Sequence, residues 1–404
     1  MLTSLAFIFL IGLSMAAICQ KLKLPRIIGM LITGIVLGPY VLDLLDPSIL
    51  SISSELRQMA LIIILLKAGL SLDLSDLKKV GRPAIMMSFV PASFEILAFF
   101  LFAPYLLGVS RMEAAVMGAV LGAVSPAVVV PRMVQLMDSK YGTEKSIPQL
   151  VMAGASCDDI FVIVLFTTFV SMAQGGHVNI MDFVNIPISM ILGILLGAVV
   201  GYVLSIFFET AYAHKHCVRN SMKVIIILGV SFMLMAIETW AEWFVSISGL
   251  LAIVSMACIL KMKSIAFVSK RLSEKFGKLW IAAEVILFVL VGAAVDIRYT
   301  MEASLTAIAM IFLALLFRGI GVSVCLVKTQ LNGKERLFCV IAYLPKATVQ
   351  AAIGSIPLAM GLPCGQIVLS VAVLAILVTA PLGAIGIDLT YKKLLMREGA
   401  SDHK

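Results

Sequence analysis

Two adjacent carboxylates, Asp158 and Asp159, stand inside the apolar run Gly154-Ala155-Ser156-Cys157-Asp158-Asp159-Ile160-Phe161-Val162-Ile163-Val164-Leu165-Phe166. An ionised side chain in the middle of a membrane-crossing run costs about 2.5 to 3.5 kcal/mol even on lenient insertion scales, so a pair there marks a site. Neighbouring helical residues project about 100° apart, so both can line one cavity while facing different partners. A carboxylate deprived of water holds a proton more tightly, and a second carboxylate beside it strengthens that hold. The same oxygens are hard ligands for a small dehydrated cation. Competition of proton and cation for one set of oxygens is the minimal chemistry of an antiporter.

The other ionisable residues within apolar runs are Lys67, Glu95, Glu284, Arg318 and Lys346. Lys346 directly follows Pro345, and an ammonium there is expected to pair with Asp158, leaving Asp159 as the cation and proton ligand. Ser125, Ser156, Thr348 and Gln350 offer neutral oxygens to a coordination shell, or make ordinary helix–helix hydrogen bonds. Glu95 and Arg318 are each other's natural partners, because a buried charge needs one. Arg132 and Glu238 lie near the ends of their runs, where snorkelling accounts for them. Lys67 is open to that reading too, and Glu284 suits a scaffold or dimer contact.

These residues must be positioned by membrane helices. With 61% hydrophobic and 13% charged residues in 404, and a mean hydropathy of +1.09, the chain cannot cover a water-soluble globule. The fold class is all-α polytopic, and about thirteen transmembrane helices are expected at 2–19, 27–44, 57–74, 83–107, 112–136, 148–173, 185–208, 222–242, 244–262, 277–297, 302–328, 336–360 and 365–390. The long continuous runs exclude a transmembrane β-barrel. The N-terminal run lacks a basic n-region and is read as the first span. The seven scattered cysteines have no CxxC spacing and read as buried hydrophobes.

The formal charge of +8 has a topological explanation rather than a nucleic-acid one. Lys21, Lys23 and Arg26 fall in the first loop, Lys78, Lys79 and Arg82 in the third, and Lys140 and Lys145 in the fifth. Lys215 and Arg219, then Lys261 to Lys275, then Lys328, Lys334 and Arg336 continue the series, whereas the even loops carry little beyond Arg111 and Arg298. Odd loops are therefore cytoplasmic, with the N-terminus outside and the C-terminus cytoplasmic.

Setting the seventh span aside as a linker exposes a 6+6 inverted repeat. Ala68-Gly69-Leu70-Ser71-Leu72-Asp73 is echoed by Val291-Gly292-Ala293-Ala294-Val295-Asp296 at an offset of 223, which Glu95 and Arg318 share. Ser125-Pro126-Ala127-Val128-Val129 is echoed by Leu344-Pro345-Lys346-Ala347-Thr348-Val349 at an offset of 219. Mid-membrane Pro126 and Pro345 break their helices and aim half-helix ends at the membrane centre, giving two proline-broken crossing helices.

At these residues the sequence resembles the sodium/proton antiporters of the cation:proton antiporter superfamily, in particular their NHA-type branch. Lys67-Ala68-Gly69-Leu70, Leu121 to Pro131, Asp158-Asp159-Ile160, Leu344 to Gly354 and Thr379-Ala380-Pro381 carry the resemblance. It implies an elevator-type exchanger of Na+ (or Li+) for H+, usually a homodimer. Scaffold and dimerisation helices would occupy 1–74 and 222–297, the core transport bundle 83–173 and 302–390, a linker helix 185–208, and a short cytoplasmic tail 391–404. The family's ion-binding aspartates fall on Asp158 and Asp159, its membrane lysine on Lys346 and its interhelical salt bridge on Glu95 and Arg318. Lys67 stands where the animal members are expected to have arginine, which leaves cation preference open. The short tail argues against a regulatory domain.

The alternatives are a K+/H+ antiporter or K+ efflux system, and an ion channel or sensor. A bile-acid-type symporter shares the broken-helix plan, but adjacent aspartates do not suit an anionic substrate. The lack of HExxH or of any nucleophile–His–Asp set argues against a membrane enzyme. No cofactor is expected. The partners are Na+ or Li+, H+ and membrane lipid, in the plasma membrane, which for a bacterium is the inner membrane.

Overall fold

The computed structural model describes residues 1–71, 80–174, 180–213, 219–241 and 247–398. The expectations placed on Leu72, Asp73, Lys78, Lys79, Lys215, residues 399–404 and the side chain of Ser156 lie outside the described residues. In chain order the helices are α1 (Leu2–Lys21), α2 (Arg26–Leu37), α3 (Pro47–Ser51), α4 (Ser53–Ser71), α5 (Arg82–Met87), α6 (Val90–Leu107), α7 (Arg111–Leu121), α8 (Pro126–Asp138), α9 (Ile147–Gln174), α10 (Ile180–Ala213), α11 (Asn220–Ala241), α12 (Gly249–Lys263), α13 (Ala266–Ala293), α14 (Ile297–Cys325), α15 (Gly333–Ala342), α16 (Thr348–Ile353), α17 (Ile356–Ala359) and α18 (Gly365–Leu394). Among the described residues the only other ordered pairing is an isolated bridge between Tyr141 and Arg397. Nine segments among the described residues are long and apolar enough to cross a membrane, two of them joining α5 to α6 and α7 to α8, so the protein is a multi-pass membrane protein.

The chain divides into two compact units, one of Met1–Ser54, Asp73–Ala173 and Val285–Lys404 and the other of Glu55–Leu72 and Gln174–Glu284. In the first unit, α7 and α15 start on the same device. Ser110 and Glu113 form a capping box at the head of α7, and Asn332 and Glu335 form another at the head of α15, 222 residues later. Both helices then stop early. α7 ends at Leu121 and the chain restarts as α8 at Pro126, whose ring is tolerated at the first helical position. α15 ends at Ala342 and the chain restarts as α16 at Thr348. The two breaks meet, for Ser125 donates its backbone N–H to the Pro345 carbonyl at 2.8 Å.

Small residues let the surrounding helices close on the breaks. Gly321 on α14 abuts Pro91 and Phe94 on α6, so that a Cβ would come within 2.9 Å of the Pro91 Cα. Phe102 and Phe317 make an edge contact further along the same pair. On α18, a Cβ at Gly383 would overlap the Pro345 ring.

The second unit uses the same principle more regularly. Gly193, Gly197 and Gly201, one per turn of α10, face Ser248, the N-cap of α12, and Ala252 and Met256 within it, and a Cβ at any of the three would strike the facing residue's carbonyl. Ser255 adds a hydrogen bond to the Ile194 carbonyl at 2.8 Å. The segment expected as a linker thus carries a small-residue packing face of the kind that brings membrane helices together.

Candidate functional site

Breaking a helix inside a membrane frees backbone groups, each of which costs several kcal/mol if left unpaired. At the first break, the Leu121 carbonyl accepts from Lys346 Nζ at 2.6 Å, and the Ala123 carbonyl accepts from Gln350 Nε2 at 2.8 Å. The Gly122 carbonyl accepts from Arg318. The Val124 N–H donates to Asp158 Oδ2 at 2.8 Å. At the second break, the Tyr343 carbonyl accepts from Arg318 Nε at 2.7 Å, and the Lys346 N–H donates to Thr379 Oγ1 at 2.9 Å. The Ala347 N–H donates to Gln350 Oε1 at 2.8 Å. The side chains that repair the backbone are therefore three of the charged residues, Arg318, Lys346 and Asp158, together with the neutral Gln350 and Thr379.

Arg318 is fully buried on α14 and joins two carboxylates, Glu95 Oε2 on α6 at 2.7 Å and Asp158 Oδ2 on α9 at 2.8 Å. Its planar fork makes this double contact possible. Lys346 Nζ lies 2.5 Å from the same Glu95 oxygen. The expected pairing of Lys346 with Asp158 is corrected: the lysine sits on Glu95, and the arginine takes the aspartate. The reason is reach. Five donors on one guanidinium serve both acids and two carbonyls, and the ammonium is left with Glu95 and the Leu121 carbonyl.

Asp159 differs from its neighbour. It is buried, accepts no hydrogen bond from a described residue, and its Oδ1 is without a partner. Among the described residues five further buried oxygens share that condition: Asp158 Oδ1, Ser125 Oγ at the first break and Thr348 Oγ1 at the second, together with the Tyr343 hydroxyl and Gln149 Oε1. A buried oxygen without a donor is available to a cation or a proton. Gln350, expected as a possible fifth contributor, is committed to the backbone of the breaks. Pro126 and Pro345 occupy the helix restart and the extended segment of their breaks.

Other expectations land elsewhere. Arg132 does not simply snorkel, for it makes a two-pronged contact with Asp388 on α18 at 3.1 and 3.3 Å. Lys67 and Glu284, both in the second unit, lie within electrostatic reach of each other. Sequence reasoning missed Tyr343 and Asp388, which lack any local signal, and had Thr379 only as part of the Thr379-Ala380-Pro381 match, without a role. It also missed three patterns that are legible: Ser110-x-x-Glu113, Asn332-x-x-Glu335 and the Gly193-x-x-x-Gly197-x-x-x-Gly201 ladder.

The profile of the sodium/hydrogen exchanger transmembrane family matches residues 5–393. The chain belongs to that family. Human sodium/hydrogen exchanger 9B2 is 33% identical over 387 residues, covering 93% of this chain and 70% of that protein. Human sodium/hydrogen exchanger 9B1 is 32% identical over 390 residues, covering 93% and 73%. Among solved structures, the sodium proton antiporter MjNhaP1 from Methanocaldococcus jannaschii superposes with a TM-score of 0.81 at 21% identity, over 96% of this chain and 97% of that one. Exchanger-family membership makes the protein a membrane antiporter and not an enzyme.

Proposed function

We propose that the protein exchanges Na+ (or Li+) for H+ at Asp159, assisted by Asp158, Ser125 and Thr348, and that it does so as an elevator-type carrier assembled as a homodimer. The observation that carries this reading is the inequality of the two aspartates. Asp158 is held by Arg318 and the Val124 N–H, whereas Asp159 Oδ1 has no hydrogen-bond partner among the described residues. Support also comes from the names of the relatives, which are sodium/hydrogen exchangers, and of the solved structure, a sodium proton antiporter. The thirteen-span topology with outside N-terminus and the plasma-membrane location belong to the same proposal.

Counting charges gives the stoichiometry. Glu95, Asp158 and Asp159 are three acids, and Arg318 and Lys346 are two bases, so the fully ionised cluster carries one net negative charge. Burying that charge during a membrane crossing is costly. One Na+ or one proton cancels it, and either loaded form can cross. Exchange is then one for one and electroneutral so long as Lys346 and Arg318 both keep their charge through the cycle. Replacing Asp159 by Asn in proteoliposomes should abolish sodium-dependent proton flux, and undiminished exchange would refute the assignment. A panel of Na+, Li+ and K+ under a clamped potential separates this reading from potassium exchange and from uncoupled conduction.

A further inference from the structure

The outward face of α14 carries a groove that the charged cluster does not use. Arg318 reaches inward to Glu95 and Asp158, while Phe312, Leu316, Ile320 and Val324, one per turn, are exposed on the other side. The groove has a volume of about 890 Å³, and its far wall is α15, with Thr379 and Leu382 of α18 at one end. Gly319 opens it, since a Cβ there would lie 3.3 Å from Val340. From Phe312 to Val324 the stripe runs about 18 Å at 1.5 Å per residue, comparable to one leaflet of a hydrocarbon layer about 30 Å thick.

One charged side chain, Arg336, lines this space. It donates to the Leu331 carbonyl at 3.0 Å and the Thr329 carbonyl at 3.4 Å, which leaves further guanidinium donors for an incoming group. Lys328 and Lys334, exposed nearby in sequence, make this end basic. Hydrocarbon surface along the length with a phosphate-binding side chain at one end is complementary to an anionic lipid.

We propose that this groove binds an acyl chain of an anionic phospholipid whose phosphate is held at Arg336. The chain would end on Leu344 and Thr379. Leu344 lies between Tyr343, whose carbonyl holds Arg318, and Pro345, whose carbonyl holds Ser125. Thr379 holds the Lys346 N–H. An occupant therefore braces the second break from outside, and anionic lipid should set the exchange rate.

The test is native mass spectrometry of the purified full chain titrated with phosphatidylglycerol or phosphatidylcholine, a readout that does not depend on transport or its stoichiometry. Phosphatidylglycerol should be retained in preference, Arg336→Gln should weaken it about tenfold by loss of a charge-assisted contact, and Ile320→Trp should exclude it by filling the groove. Monodisperse elution checks folding, and Leu316→Trp replaces either variant that fails. Equal retention by the variants, or phosphatidylcholine bound as tightly, overturns the proposal. So does disulfide cross-linking of Leu316→Cys chains in liposomes, because a second copy would then cover this face.

Discussion

Lys346 places its ammonium 2.5 Å from Glu95 Oε2 and pairs with neither aspartate. Glu95 thereby anchors both cations of the cluster, Asp158 is held by Arg318 and the Val124 N–H, and Asp159 Oδ1 is left without a hydrogen-bond partner among the described residues. The arrangement assigns each residue a separable contribution.

Arg318→Gln should be the most damaging substitution for stability. It strips Asp158 of its countercharge and releases the Tyr343 and Gly122 carbonyls. Removing one partner of a buried pair costs about 3 to 5 kcal/mol. Thermal melting in detergent reads the effect, and Arg318→Lys should fall between, since a point charge cannot reach both acids.

Lys346→Gln should make transport voltage-dependent. The empty cluster would then carry two negative charges, and one bound ion would no longer neutralise it. Adding Glu95→Gln restores the count and should restore indifference to voltage. Dye-reported flux at clamped potentials compares the two; a double variant as voltage-sensitive as the single one contradicts the charge count.

Gly154 sits one turn before Asp158, and a Cβ there would overlap the Tyr343 hydroxyl and come within 2.9 Å of the Met87 Cβ. Gly154→Ala should destabilise by about 1 to 3 kcal/mol through overpacking. Tyr343→Phe in the same chain should recover most of the loss, since it removes the struck atom. By itself Tyr343→Phe should be nearly neutral, because that hydroxyl has no hydrogen-bond partner.

Acid should compete with sodium at Asp159. A ligand that must be deprotonated to bind makes cation affinity pH-dependent. Where the proton dominates, each unit of acidification should raise half-saturating sodium by up to about tenfold, the limit for one shared proton. The maximal rate at saturating sodium should change far less. A half-saturation constant flat across pH would argue that proton and sodium occupy separate groups.

The charged residues and both breaks were legible in the sequence because a membrane makes every polar group conspicuous. Glu95, Arg318 and Lys346 each stand alone in an apolar run, Asp158 and Asp159 stand as a pair in another, and Pro126 and Pro345 announce the breaks. The pairing was not legible. It depends on how far a side chain reaches across three helices, and one-to-one matching overlooks a guanidinium that bridges two acids. Thr379 was hidden for a related reason, since its acceptor role exists only once Pro345 has exposed the Lys346 N–H. The glycine ladder on α10 could have been found, but a segment treated as a connector hides its packing face.

The bond between Ser125 and Pro345 joins main-chain atoms only. Alanine scanning is blind to it, because no genetically encoded side chain removes it short of proline at 125. An amide-to-ester replacement at Ser125, made by chemical synthesis or nonsense suppression, would delete the donor and leave every side chain intact. A contact of that kind tolerates drift in sequence, which suits a chain whose backbone follows the MjNhaP1 fold at 21% identity.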